Sequence, residues 1–163
     1  MTEKVNPIPE GFNTLTPYII VNDGVKAIQF YEKAFGAHET YRSKMPNGKI
    51  MHARLKIGNS MLMLSDEFPH SEGCGMKAPA SLKGTTTTLN LYVEDVDALF
   101  LKAVNAGAKV LMPLENMFWG DRYGQVEDPF GHIWSLGTRI KNMTNEEIEE
   151  AAAAFFSSGS EQS

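Results

Sequence analysis

The chain has 163 residues, 42% of them hydrophobic and 21% charged, with a net charge of −5. That is one domain's worth of ordinary globular composition, long enough to bury a core without staples. The negative balance excludes a general nucleic-acid binder, which needs a basic face, and no apolar run approaches the roughly 18 residues of a membrane-spanning helix.

Residues 1–13 are polar and carry Pro7 and Pro9, which predicts an arm; they hold no apolar stretch of the kind a secretory leader has. Residues 14–21 read as a strand that stops at Asn22-Asp23-Gly24. A helix is predicted over 25–35, because Ala27, Ile28, Tyr31, Ala34 and Phe35 fall on one helical face. Asn22 or Asp23 can cap its start, and Gly36 ends it. Residues 38–45 are strand-like, Pro46-Asn47-Gly48-Lys49 holds the Asn-Gly hairpin signal, and 50–57 are the return strand. Gly58-Asn59 turns the chain again into a fourth strand, 60–65. Residues 66–84 read as a connection in which Pro69, Gly73, Gly75, Pro79 and Gly84 break any regular element. Its Cys74, the single cysteine, leaves no internal disulfide. It reads as an incidental loop thiol, a reactive one being the alternative. The simplest setting for such a chain is a reducing, cytoplasmic one.

The pattern then recurs. Residues 85–93 form a strand, Asp95 caps a helix with Val96, Leu99, Phe100, Ala103 and Val104 on its apolar face, and Gly107 ends it. A strand over 109–117 leads to an aromatic loop, 118–123, and a closing hairpin. At its tip, Asp128-Pro129-Phe130-Gly131, proline presets φ and glycine closes the turn. Thr16 and Thr88, Val21 and Val93, and Leu64 and Leu136 lie 72 positions apart. Ala27 and Ala98, Gly36 and Gly107, and Ala37 and Ala108 lie 71 apart. Such spacing is the mark of an internal repeat, with one residue lost near the start of the second helix and regained by the last strand. Both units are βαβββ. Beyond them, Thr144 with Glu147 makes a capping box. Ile148, Ala151, Ala152, Phe155 and Phe156 give a C-terminal helix an apolar face for packing on the domain or across a dimer.

Strand alternation assigns faces. Leu15, Ile19 and Val21, with Leu89, Leu91 and Val93, go under the helices. Thr16, Tyr18 and Ile20, with Thr88, Asn90 and Tyr92, go to the other side of the sheets. Leu62, Leu64, Trp134 and Leu136 go under helices, while Met63 and Ser135 go to the open side. His52 and Arg54 alternate with Ala53 and Leu55; on the open side Arg54 suits a carboxylate or phosphate, and a solvated edge stripe is the alternative. Trp119 and Tyr123 suit a ligand wall with Arg122 over the ligand's charge; packing against a dimer partner or the C-terminal helix is the alternative. Asp121 next to Arg122 reads as a local surface ion pair. Glu127 and Asp128 point apart and make a poor acid–base pair. There is no nucleophile motif and no phosphate-cradling loop.

The paired βαβββ modules, the strands ending in Val-x-Asp and the Asp-Pro-Phe-Gly-His-x-Trp-Ser-Leu hairpin resemble the vicinal oxygen chelate superfamily. It includes glyoxalase I, bleomycin-resistance proteins, fosfomycin-resistance enzymes and extradiol dioxygenases. The Leu-Met-Leu-Ser-Asp-Glu run from Leu62, the Phe-Trp-Gly-Asp-Arg-Tyr-Gly loop and the alanine-rich tail look most like its PhnB-like branch. The resemblance implies one α+β domain spanning 1–163. Module one is about 12–66, a connection 67–84, module two about 85–138 and a C-terminal helix about 144–156, with a curved mixed sheet around a cleft. It implies a homodimer, often with a shared cleft. Metal-dependent relatives take ligands from positions that fall here on Thr16, Met63 (or Ser65), Thr88 and Ser135. None of these is an imidazole or carboxylate, the ligands that zinc, nickel or iron want. The expectation is therefore a protein with no metal and no cofactor. It would hold a small, partly aromatic or anionic molecule among Tyr18, Asn90, Tyr92, Trp119 and Arg122. The alternative is a glyoxalase-type lyase or isomerase with an atypical metal site that includes His52.

Overall fold

A computed structural model describes residues 5–71 and 75–159; Cys74 lies outside them. The chain is α+β, with two four-stranded mixed sheets. The first holds β1 (Tyr18–Val21), β2 (His38–Lys44), β3 (Ile50–Ile57) and β4 (Ser60–Asp66) in the order β1-β4-β3-β2. The second holds β5 (Thr88–Tyr92), β6 (Lys109–Asn116), β7 (Asp121–Glu127) and β8 (Ile133–Arg139) in the order β5-β8-β7-β6. Helix α1 (Gly24–Phe35) belongs to the first unit and α3 (Val96–Ala106) to the second. A short α2 (Pro79–Leu82) lies between the units, and α4 (Asn145–Gly159) follows them.

The repeat is visible in how each helix is started. The Asp23 carboxylate accepts from the Lys26 amide, and Asp95 accepts from the Ala98 amide, which satisfies donors that the first turn leaves open. A second cap comes from the last strand of each unit. Asp66 accepts from the Gly24 amide at 2.8 Å, and Thr138, 72 positions on, accepts from the Val96 amide at 3.0 Å. The helices have 12 and 11 residues, so the missing residue falls inside the helix. Gly24 has a packing reason: a Cβ there would lie 2.6 Å from an Ile50 side-chain carbon, so only glycine lets α1 sit this close to β3.

Three local expectations change. The first strands of both units start later than the apolar pattern suggests, at Tyr18 and Thr88. Pro17 has no amide to pair, and the Thr16 hydroxyl turns back to the Asn13 carbonyl. The Thr87 amide likewise bonds the Thr85 hydroxyl, a local bond that competes with the ladder. Leu15, expected under a helix, is consequently 87% exposed. The connection also contains a regular element: Pro79 opens α2, and the Glu67 carboxylate accepts from the Ala78 amide and the Ser81 hydroxyl.

The two units share one core. Tyr31 and Phe35 of α1 pack on Trp134 of β8, with ring centroids 5.4 and 4.6 Å apart, and Phe30 meets Phe130 edge-on. Trp134 therefore lies under the helix of the other unit. Asp128, 3% exposed, fastens the joint. It accepts from the Tyr31 hydroxyl at 2.7 Å, the Trp134 indole at 2.9 Å and the amides of Phe130 and His132. Burial, with the Asp128 charge beside it, pushes the Tyr31 phenol well above its ordinary pKa. His132 donates from Nε2 to the Ile20 carbonyl at 2.9 Å, a second tie between the units.

Candidate functional site

Each sheet has an open face away from its helix. On the first, β4 lies between β1 and β3, and Met63 pairs with Tyr18 on one side and Arg54 on the other. Tyr41 of β2 faces Arg54, and Ser43 faces His52. The side chains interlock. His52 stacks on Tyr18 at 5.6 Å, with the Tyr18 hydroxyl 3.3 Å from Nδ1. Arg54 donates from Nε to His52 Nε2 at 3.3 Å, and its guanidinium lies over the rings of Tyr41 and Phe12. Burial, then the neighbouring Arg54 charge, holds the His52 pKa below the ordinary histidine range, so the ring is neutral at pH 7.

On the second sheet, Asn90 pairs with Ser135, and Ser135 with Gln125. The Tyr123 hydroxyl is 2.7 Å from the Ser135 hydroxyl, and Gln125 donates to both oxygens. Nearer one end of this sheet the buried Asp121 carboxylate accepts from the Tyr92 hydroxyl at 2.6 Å and the Trp119 indole at 3.1 Å, both through Oδ2. This bond to Asp121 raises the Tyr92 pKa. Oδ1 has no hydrogen-bond partner among the described residues, and Arg139 Nε lies 3.7 Å from it. Trp119 meets Tyr123 edge-on at 5.6 Å. Phe118 meets Trp119 edge-on at 4.9 Å and also packs on Phe155 and Phe156 of α4.

The structure thus brings Tyr18, His52, Arg54 and Met63 onto one face, and Asn90, Tyr123 and Ser135 onto another with Trp119 and Tyr92 beside them. Arg122 joins neither. It points to the helix side of β7, where Asp97 of α3 receives it through two nitrogens at 2.6 and 2.7 Å and Asn116 through a third. It is therefore not over a ligand wall, and Asp121 and Arg122 are not an ion pair. Adjacent residues of a strand face opposite ways, which sends one to the buried end of the open face and the other to α3. Thr16 and Thr88 lie at or before the strand starts, so the cross-strand partners of Met63 and Ser135 are Tyr18 and Asn90. Sequence reasoning missed Tyr41, Gln125 and Phe12. Alternation from Tyr123 reaches Gln125, and the register of the Asn47-Gly48 hairpin reaches Tyr41. Phe12, in the arm, has no periodic signal.

Among the described residues no hydrogen bond or ring contact joins the two open-face clusters. Between the edge strands β1 and β5 runs a groove of about 750 Å³, lined by Tyr18, Ile20, Leu82, Thr86, Leu89 and His132 among others. A divalent metal does not fit the positions the resemblance indicates. Two threonines, a methionine and a serine offer neither imidazole nor carboxylate, and no three His, Cys, Asp or Glu side chains gather as ligands among the described residues. No helix among them is long and apolar enough to cross a membrane.

Comparison with known proteins agrees with the architecture. A Mycobacterium bovis protein, Mb0911c, is 47% identical over 140 residues, covering 86% of this chain and 92% of its own. The crystal structure of TioX from Micromonospora sp. ML1 superposes with a TM-score of 0.63 at 26% identity, over 78% of this chain and 98% of that one. The PhnB protein from Bacillus cereus shares the fold, with a TM-score of 0.58 at 18% identity over 77% of this chain and 99% of that one. The sequence model of the Glyoxalase/Bleomycin resistance protein/Dioxygenase superfamily matches residues 11–136, and the chain belongs to that superfamily.

Proposed function

We propose that the chain is a small-molecule binding protein of this superfamily, akin to its bleomycin-resistance and PhnB-like members, which holds a partly aromatic or anionic ligand without the usual divalent metal. The observation that carries this reading is the hydrogen-bonded set Tyr123, Gln125 and Ser135 beside Asn90. Uncharged donors and acceptors stand where a metal-dependent relative would need a ligand, and aromatic walls flank them. Pockets of this make-up orient a ligand by a few polar groups and bind it by apolar area. The metal-dependent reading loses its best residue, because both ring nitrogens of His52 already face protein groups.

The working form is a cytoplasmic homodimer. The exposure of Leu15 at 87% and Tyr92 at 61% beside the open faces supports a second copy covering them, and sedimentation at micromolar concentration reads twice the chain mass if it does. Binding is tested by titrating the full chain with planar bicyclic aromatics in a calorimeter. Saturable binding, weakened at least about tenfold by Trp119→Ala, is expected, since rim aromatics of this kind are worth roughly 1–3 kcal/mol. Stoichiometric nickel or zinc, with turnover of the methylglyoxal–glutathione adduct, would overturn the reading.

A further inference from the structure

Arg54 has no carboxylate within ion-pair distance among the described residues. Its guanidinium carbon lies 5.0 Å from the centre of the Tyr41 ring and 5.5 Å from that of Phe12. Aromatic faces hold a guanidinium flat without neutralising it, and its edge N–H groups still require acceptors. Among the described residues only Nε has one, His52 Nε2 at 3.3 Å.

That contact fixes a direction. Guanidinium has donors and no acceptor, so the lone pair of the neutral His52 ring sits on Nε2 and its proton on Nδ1. Nδ1–H then faces the Tyr18 oxygen at 3.3 Å, and Tyr18 accepts there. The Tyr18 hydroxyl proton is left to point away from His52. The chain of donors therefore runs from Arg54 to His52 to Tyr18, and its outward ends, Nη1 and Nη2 of Arg54 and the O–H of Tyr18, are all donors. Lys56 from β3, Met61 and Met63 from β4 and Tyr41 from β2 share this face by register. None of them is an acid.

We propose that the open face of the first sheet is an oxyanion site, in which the carboxylate, phosphate or phosphonate group of a ligand is received by Arg54 and Tyr18 while His52 sets the donor direction of both. This rests on the reading of the open faces as ligand-binding and goes further, by naming the charge of the ligand and the residues that meet it. The stacked Tyr18 and His52 rings offer a flat surface to an aryl group carried by the anion.

The test titrates the full chain at pH 7.5 with benzoate, phenylphosphonate and inorganic phosphate, with benzamide as the uncharged match for benzoate. The oxyanions are expected to bind at least about tenfold more tightly than benzamide. Arg54→Gln should remove that advantage, bringing benzoate to the level of benzamide in the same variant, Arg54→Lys should keep part of it, and Tyr18→Phe should weaken the oxyanions several-fold. Phosphate binding as tightly as the aryl anions would assign the site to a free phosphate, and preference for the aryl anions to an aromatic acid. A long-range ¹H–¹⁵N spectrum should show His52 protonated on Nδ1, whatever is bound. The proposal falls if benzamide matches benzoate, or if Arg54→Gln changes nothing, or if Nε2 carries the proton. In those cases saturable, Trp119-dependent binding of neutral aromatics would leave the broader binding function standing; no binding by any of these probes would sink both.

Discussion

Two buried aspartates in one hairpin, Asp121 and Asp128, differ in how fully their oxygens are partnered. Asp128 accepts four hydrogen bonds, so removing it strands several donors in the core at about 1–3 kcal/mol each. Asp128→Ala is expected to cost at least about 3 kcal/mol in urea unfolding, and Tyr31→Phe about 1–2 kcal/mol, because Phe keeps the ring packing. His52 makes stability depend on pH. Its pKa is depressed in the fold by burial and by Arg54, so below pH ~6.5 the unfolded chain binds the proton more readily. Stability should therefore fall as pH drops from about 6.5 through the folded pKa, and His52→Gln should flatten that slope in unfolding curves taken across the window. Adjacent letters misled at this scale. Asp121-Arg122 looks like a surface pair when 118–123 is read as a loop, flanked as it is by Gly120 and Gly124. Once β7 begins at Asp121, alternation separates the two residues. The bond from Tyr31 to Asp128 could not be read, since Tyr31 lies 97 positions away, although the other three partners stand within six residues.

Helix starts and stops were legible because their chemistry is local. Asp23, Gly36, Asp95 and Gly107 act within a few residues of where they stand, and the capping box is formed as spaced, with Glu147 and Thr144 bonding each other's amides. The starts of β2, β3, β4 and β6 stand where the sequence puts them, but those of β1 and β5 were not legible, because Pro17 and the Thr85–Thr87 bond interrupt runs that read as continuous strand. The C-terminal helix depends on tertiary contact for its place. Its Phe155 and Phe156 meet Phe118 of the loop before β7, and both remain more than half exposed. Phe118→Ala is expected to loosen α4 without unfolding the sheets. Hydrogen exchange should lose protection over 145–159, while the free energy of global unfolding changes by less than the roughly 3–5 kcal/mol typical of a fully buried phenylalanine.

At the scale of the molecule, α1 lies against the hairpin of the second unit, and the buried apolar residues of both units form one continuous cluster. Unfolding should be a single transition, with far-UV circular dichroism and tryptophan fluorescence coinciding in denaturant; two separated midpoints would contradict a shared core. The repeat and the α+β class could be read from the chain because they rest on period and order. How the open-face clusters are divided between two sheets could not, because that follows from packing across the joint. The joint itself is made once. By register Lys56 holds in β3 the place of Glu127 in β7, so Ile57 stands where Asp128 does, and the counterparts of Phe30 and Tyr31 on α3 are Leu101 and Lys102, both exposed. The turn at Gly58-Asn59, which corresponds to the closing hairpin's tip, is also exposed. The two-fold of the repeat is broken in one direction, with the first half bearing the helix that is gripped and the second the turn that grips. Neither half can now stand in for the other: a tandem of two first halves would have no grip, and a tandem of two second halves nothing to hold. The two units, alike in their order of elements, thus serve as a lock and its bolt.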